Sequence, residues 1–221
     1  MSALAVLWDL DGTLTDPFQG ITRCLQHALR SCGVSDPPSS ESLARYIGPP
    51  LTDAFRELLA TDDAAEIDQA VRFYRDRFTD VGIYENTVYP GIPEALADLF
   101  AAGATLYVAT SKPVGFARRI IDHFRLHTLF RDVHGSELDG TRSDKADLIA
   151  HVLNEHELLP ENCIMVGDRM HDVVGARACG VTPVGVLWGY GSREELTEAG
   201  AAALCEYPHE LVPVINSLVR G

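Results

Sequence analysis

From about residue 90 onward the chain alternates short apolar runs with amphipathic stretches, and few folds accept that alternation. "ATLYVATSK", "RDVHGS", "NCIMVGD" and "TPVGVLWG" have strand length, the last of them closing the series. Between and before them, "GIPEALADLFAAG", the spacing of Phe116, Ile120, Ile121 and Phe124, "SDKADLIAHVLNEH" and "DVVGARACG" have helical periodicity. Apolar strands that each lead into a helix predict a parallel sheet covered on both faces. The run Leu4 to Trp8 reads as a further strand of that sheet, although residues 15–86 separate it from the rest. That block reads as helices only. Ile21, Leu25, Ala28, Leu29 and Cys32 mark one helix, stopped by Gly33, and "SSESLARYIG" marks a short one ending at Gly48. Leu51, Phe55, Leu58 and Leu59 mark a third, and Ile67, Ala70, Val71, Tyr74 and Phe78 a longer fourth. The predicted architecture is α/β: a Rossmann-like parallel-sheet core (residues 1–14 and 87–221) with an α-helical cap domain (residues 15–86) inserted after the first strand.

The first strand ends abruptly in acids, "VLWDLDGTLTD". Residues two apart in an extended segment point the same way, so Asp9 and Asp11 project together if that geometry continues past the strand. Two like charges about 4 Å apart repel by roughly 4 kcal/mol at an effective dielectric near 20. A divalent cation or a shared proton offsets such a cost; a polar strand end running into a turn is the plainer alternative. In an open parallel sheet, ligands bind beyond the carboxyl ends of the strands. Thr110, Ser111 and Lys112 follow the second strand, and Asp168 follows "IMVG", so they fall at the same edge as the two acids.

Composition narrows the partners. A net charge of −14 on 221 residues argues against nucleic-acid and anionic-membrane partners, both of which need basic patches. Five cysteines without a CxxC spacing read as reduced thiols, and with no apolar run of membrane-spanning length and no leader-like N-terminus, the expected location is the cytoplasm. Of the 18 Lys and Arg residues only two are lysines, Lys112 and Lys145. A chain that otherwise uses arginine keeps lysine where a compact ammonium is wanted, or by chance.

"DLDGT", "ATSKP", the isolated Lys145 and "GDRMHD" occur in the order of the four motifs of haloacid-dehalogenase-superfamily phosphohydrolases, and the resemblance covers nearly the whole chain. With "YIGPPL", "GSELDGTRSDKADLI" and "GVLWGYGSREEL", the sequence resembles the phosphoglycolate-phosphatase-type branch. The resemblance implies a Mg2+-dependent phosphatase acting on a small phosphorylated metabolite. Asp9 would be the nucleophile that forms an aspartyl-phosphate, and Asp11 the general acid and then the general base. Gly12, Thr13, Thr110, Ser111 and Lys145 would bind phosphate. Asp9, the Asp11 carbonyl and Asp168 would hold the metal, with Asp172 steadying a metal-bound water or Lys145. Lys112 would line the pocket or support the second motif. In the cap, Arg45, Tyr46 and the turn Gly48-Pro49-Pro50 are candidates for the loop over the leaving group, helix termination and packing being the alternative. Hinges are expected near residues 14–18 and 82–90. Phosphoglycolate is the substrate the resemblance suggests. A 5′-nucleotidase, a phosphomutase, or a binding module without catalysis are the alternatives, and the expected assembly is a monomer or weak homodimer.

Other patterns carry less. "DLDGT" looks like a calcium-binding loop, but its glycine comes too early and Gly20 stands where the closing glutamate belongs. "GYGSREEL" lacks the third glycine of a dinucleotide turn; Ser192 and Glu195 there read as a capping box. His123 and His127 share a helical face without a third ligand and read as structural, and His171 is assigned no chemistry.

Overall fold

The computed structural model describes residues 4–219 and divides into two compact units, one running to Asp16 and resuming at Val88, the other Pro17–Thr87. The first unit is built on six parallel strands: β1 (Ala5–Trp8), β4 (Thr105–Pro113), β5 (Phe130–Ser136), β6 (Cys163–Gly167), β7 (Thr182–Val186) and β8 (Ala203–Cys205). Their order is β5-β4-β1-β6-β7-β8. The short strands β2 (Thr15–Asp16) and β3 (Thr87–Val88) mark where the chain leaves this unit and returns. Six helices accompany the sheet: α5 (Ile92–Ala101), α6 (Val114–His123), α7 (Lys145–Glu155), α8 (Met170–Ala178), α9 (Arg193–Ala199) and α10 (Leu211–Val219). This is the α/β, Rossmann-like parallel-sheet class that the alternation implied.

All four residues of β1 are buried, and β1 is flanked by β4 on one side and β6 on the other. On one face Ala5 and Leu7 join Tyr107, Met165 and the α7 residues Leu148, Ile149, Val152 and Leu153 in a single cluster. Val6 and Trp8, facing the other way, are also fully buried. Because both faces are covered, the strand carries no polar alternation; each large apolar side chain contributes about 1.5–3 kcal/mol by leaving water. The chain moves outward from β1 through β4 to β5, then crosses back to β6 and moves the other way. The β1/β6 boundary is therefore a topological switch point, where the carboxyl ends of the strands splay and leave a crevice.

Three expectations about strands need correction. The block from residue 15, read as helices only, opens on the two-residue strand β2 at Thr15–Asp16. "TPVGVLWG" does not supply the last strand, because Ala203–Cys205 adds an edge strand beside β7. The strand after α5 also reaches further than expected, through Pro113, with a register shift between Thr110 and Pro113. Thr110, Ser111 and Lys112 thus lie within β4, not after it.

The second unit contains α1 (Phe18–Ser31), α2 (Ser40–Leu43), α3 (Leu51–Leu59) and α4 (Ala64–Asp80), with 3-10 turns at Ala44–Tyr46 and Gly82–Tyr84. The stretch read as one short helix up to Gly48 is therefore one turn of α-helix followed by a 3-10 turn. Ile67, Ala70, Val71, Tyr74 and Phe78 of α4 are all buried, as are Ile21, Cys24, Leu25, Ala28 and Leu29 of α1. Tyr74 stacks on Phe78 and meets Phe55 edge-on. A Cβ on Gly20 would lie 2.1 Å from Gly82 O, so glycine permits that backbone approach. Asp63 caps α4, accepting from the Ala65 N–H at 2.8 Å.

Candidate active site

Asp9 continues the ladder one residue past β1, its N–H donating to Val166 O of β6 at 2.9 Å. The chain then turns tightly about Leu10, whose carbonyl accepts from the N–H groups of Thr13, Leu14 and Thr15. Gly12 takes φ +88°, and a Cβ there would fall 2.3 Å from Asp168 Oδ2, so no other residue fits without displacing that carboxylate. Asp11 Oδ2 lies 2.6 Å from Lys112 Nζ, and Asp11 Oδ1 is buried without a hydrogen-bond partner among the described residues.

Lys145 opens α7. Asp144 caps that helix, accepting from the N–H groups of Ala146 and Asp147, and this cap aims the lysine inward. Lys145 Nζ lies 2.9 Å from Asp9 Oδ1 and 2.7 Å from Asp172 Oδ1, and donates to Ala109 O at 3.0 Å. Asp172 also accepts from the Arg169 N–H, which orders the start of α8. Asp168, fully buried, accepts from the Tyr190 N–H at 2.8 Å and from Thr13 Oγ1 at 3.3 Å.

Asp9, Asp11, Lys112, Lys145, Asp168 and Asp172 thus form one connected group at the β1/β6 switch point, with Gly12 and Thr13 in its turn. Thr110 is buried beneath it and accepts from the Lys112 N–H. The Ser111 hydroxyl donates to Ser143 O at 3.1 Å, two residues before Lys145. Arg45 belongs to the helical unit, where it donates to Tyr46 Oη at 2.6 Å, lies over the Tyr46 ring and pairs with Glu57.

Gly189, Tyr190 and Gly191 are the functional residues that sequence reading missed. A Cβ on Gly189 would lie 2.4 Å from Asp168 Cβ, and one on Gly191 would lie 1.9 Å from Asp168 O. The two glycines therefore let the loop after β7 close around Asp168, and Tyr190 supplies the N–H between them. The signal was a glycine pair just past a strand end. Ser192 does cap α9 by accepting from the Glu195 N–H at 3.1 Å. The Glu195 carboxylate, however, turns away to accept from Arg169 Nε and the Met170 N–H, tying the loop to α8.

Burial pushes the carboxyls of Asp11 and Asp168 above their ordinary values; for Asp168 the neighbouring Asp9 and Asp172 add to it, while Lys112 pulls Asp11 partly back. Burial likewise raises Asp172 to about 6, against the pull of Lys145. Burial works against the charge on Lys145, yet Asp172 and Asp9 outweigh it and hold the ammonium above its ordinary value. Four carboxylates facing two ammonium groups leave two negative charges when all are ionised. Asp9, Asp168 and Asp172 each offer an oxygen within 4.8 Å of the others. An all-oxygen set with that excess charge fits a hard divalent cation such as Mg2+.

Residues 6–186 match the family model described as haloacid dehalogenase-like hydrolase. A 5′-nucleotidase of Pseudomonas aeruginosa is 51% identical over 191 residues, 86% of each chain. The tyrosine-protein kinase PtkA of Mycobacterium tuberculosis is 42% identical over 84% of this chain, which spans 62% of that protein's length. Phosphoglycolate phosphatase 1 of P. aeruginosa is 27% identical over 94% of this chain and 78% of its own. Among solved structures, a predicted phosphatase from Clostridium acetobutylicum superposes with a TM-score of 0.91 at 39% identity, covering 98% of this chain and all of that one.

Proposed function

Because this chain belongs to the haloacid dehalogenase-like hydrolases and is a phosphoric monoester hydrolase, we propose that it is a Mg2+-dependent phosphatase of nucleoside 5′-monophosphates, working through an aspartyl-phosphate on Asp9. The observation that carries the chemistry is the Lys145 bridge between Asp9 and Asp172, set beside an Asp11 with one buried, unpartnered oxygen. The nucleotide preference draws its support from the 51% identical 5′-nucleotidase, against 27% identity to the phosphoglycolate phosphatase.

Lys145 engages Oδ1 of Asp9 and leaves Oδ2 to attack phosphorus. As the Asp9–phosphorus bond forms, the bond to the ester oxygen breaks, and that oxygen takes a proton from Asp11. Burial favours a protonated Asp11 before this step, and Lys112 stabilises the carboxylate after it. Asp11 then removes a proton from water, whose oxygen attacks phosphorus, releases inorganic phosphate and restores Asp9. Asp9 and Asp168 with the Asp11 carbonyl would hold the magnesium ion, with Asp172 beside them on Lys145, and the ion would supply charge neutralisation for the phosphoryl oxygens. Thr13 and Tyr190 keep Asp168 in place for that task.

The test is steady-state kinetics with Mg2+ on nucleoside 5′-monophosphates and 2-phosphoglycolate, together with acid quench and mass measurement of the peptide containing Asp9. A kcat/KM at least about tenfold higher for a nucleotide, and a phosphate mass on that peptide, are expected. Preference for phosphoglycolate would overturn the substrate assignment, and a rapid-quench time course without phosphopeptide would overturn the covalent route.

A further inference from the structure

On β5 and at the end of α7, Asp132, His134 and His156 turn three ligand atoms toward one another. His134 Nε2 and His156 Nε2 lie 2.9 Å apart, and Asp132 Oδ2 is 3.9 Å from the first and 4.0 Å from the second. Three atoms so spaced have a common centre about 2.1 Å from each, the length of a zinc–imidazole or zinc–carboxylate bond. From this geometry we propose that Asp132, His134 and His156 form a second metal site, for a divalent transition ion of the zinc class, separate from the acidic cluster.

The surroundings match what such a site requires. The His134 side chain on β5 is only 7% exposed, and its Nδ1 faces Glu155 Oε2 at 3.8 Å, beyond hydrogen-bond distance but close enough for a small rotation to give the carboxylate–histidine contact that orients metal-binding imidazoles. Glu155 is steadied in turn by His151 Nε2 at 2.8 Å. The Tyr107 ring packs against His156 with centroids 4.6 Å apart and walls the site on one side. Asp132 fixes its own orientation by accepting the Val133 N–H through Oδ1, which leaves Oδ2 for a ligand role, with Arg118 3.5 Å from Oδ1. Burial also pulls the His134 imidazole below its ordinary value, in keeping with the neutral ring a metal needs.

In the metal-free protein one of the two facing nitrogens must donate its proton to the other. Binding needs both lone pairs. The donor ring shifts its proton to Nδ1, and a modest turn of each ring redirects the nitrogens from each other to the common centre. No proton need leave the pair. Two imidazoles and one carboxylate form a nitrogen-rich set that suits zinc, whereas the acidic cluster presents only oxygens for Mg2+. The eleven residues of α7 put His156 about 16 Å along the helix from Lys145, so the ion would not meet the reacting phosphate. It would instead fasten the edge strand β5 to the far end of the helix that carries Lys145.

The test is competition of the full chain with a chromophoric chelator for Zn2+, in excess Mg2+ to fill the acidic cluster, comparing wild type with His156→Ala and Asp132→Ala. Wild type should bind one zinc more than either variant, or each variant should bind it with a dissociation constant weakened by more than the roughly 10–100-fold that loss of an outer partner costs. Zinc should also raise the melting temperature of wild type and not of His156→Ala. Cobalt substitution of wild type should give visible absorption of a nitrogen-ligated ion, with paramagnetic shifts on the His134 and His156 ring protons; this readout stands even if a variant fails to fold. Equal zinc stoichiometry and affinity in wild type and both folded variants would overturn the proposal, as would wild-type cobalt spectra that leave those two rings unshifted.

Discussion

In the helical unit Glu85 accepts three hydrogen bonds from two arginines, at 2.7 and 3.1 Å from Arg77 and 2.7 Å from Arg23, and burial does not prevent its carboxyl from falling below its ordinary value. In the α/β unit Asp11, Asp168 and Asp172 are all raised, and the cations beside the acids are lysines. The two regions use charge for opposite ends. A planar guanidinium matches both oxygens of a carboxylate and locks it, which suits a clamp between helices. An ammonium is a point charge that holds one oxygen and leaves its partner for chemistry, which suits a site that must exchange ligands. The unit that binds its acids most completely has stability to gain from them, and the unit that leaves them discontented has reactivity to gain.

The largest effect that would break this contrast is expected at Asp9. Asp9→Asn should lower kcat by roughly 10⁴-fold or more, with an unchanged circular dichroism spectrum, because an amide cannot accept the phosphoryl group. Turnover near wild type would remove Asp9 as nucleophile. Next comes the exchange of one cation for the other. Lys145→Arg should cost roughly 10²- to 10³-fold in kcat, nearly as much as Lys145→Ala, because a fork cannot reach Asp9, Asp172 and Ala109 O from one point. The same exchange at Lys112, which pairs with Asp11, should cost about tenfold or less. If both arginine variants keep wild-type kinetics, charge alone matters and the contrast fails.

In the helical unit the prediction concerns stability alone. Glu85→Gln should remove about 1–2 kcal/mol and lower the melting temperature by a few degrees, leaving kcat and KM on soluble substrates unchanged. The smallest effect is one of sign, read by urea unfolding of the metal-free protein across pH 4–7. The Asp172 carboxyl, near 6 when folded and about 3.9 when unfolded, favours the protonated folded state. Its contribution is therefore largest below about pH 4 and is lost as pH rises through 6. Glu85, depressed in the folded state, contributes above about pH 4.3 and loses that contribution as pH falls. Asp172→Asn and Glu85→Gln should consequently change the slope of stability with pH in opposite directions.

Much of this could be read from residue types alone. Asp9, Asp11 and Asp168 announce themselves because charge is costly beside apolar strands unless a ligand or a counter-charge meets it there, Lys145 stands out as one of two lysines, and Asp172 enters only with the family resemblance. The helix α4 announces itself because five buried positions keep one helical face. The three-residue strand Ala203–Cys205 was not legible, since its pairing with β7 supplies what its sequence lacks. The engagement of Ser111 with Ser143 depends on how far β4 extends, which pairing with β5 decides. His134 and His156 sit in different elements, 22 residues apart, and neither has a neighbour in sequence that hints at the other. His123 and His127, by contrast, are spaced as if on one helical face, but α6 ends at His123 and leaves His127 in the turn that follows. Local pattern reveals what one element does alone, and misses what two elements make between them.

Both lysines of this chain are withdrawn from solvent, their side chains 7% and 5% exposed. The folded surface thus offers no lysine to acylating reagents, amine-directed cross-linkers or lysine-modifying enzymes, although 16 arginines remain. A lysine that does react must have been reached by an opening of the site or of the fold. The rate of lysine acylation, followed by mass spectrometry, would serve as a built-in gauge of how often the pocket around Asp9 and Asp11 comes apart, with Lys112 and Lys145 as two separately readable probes.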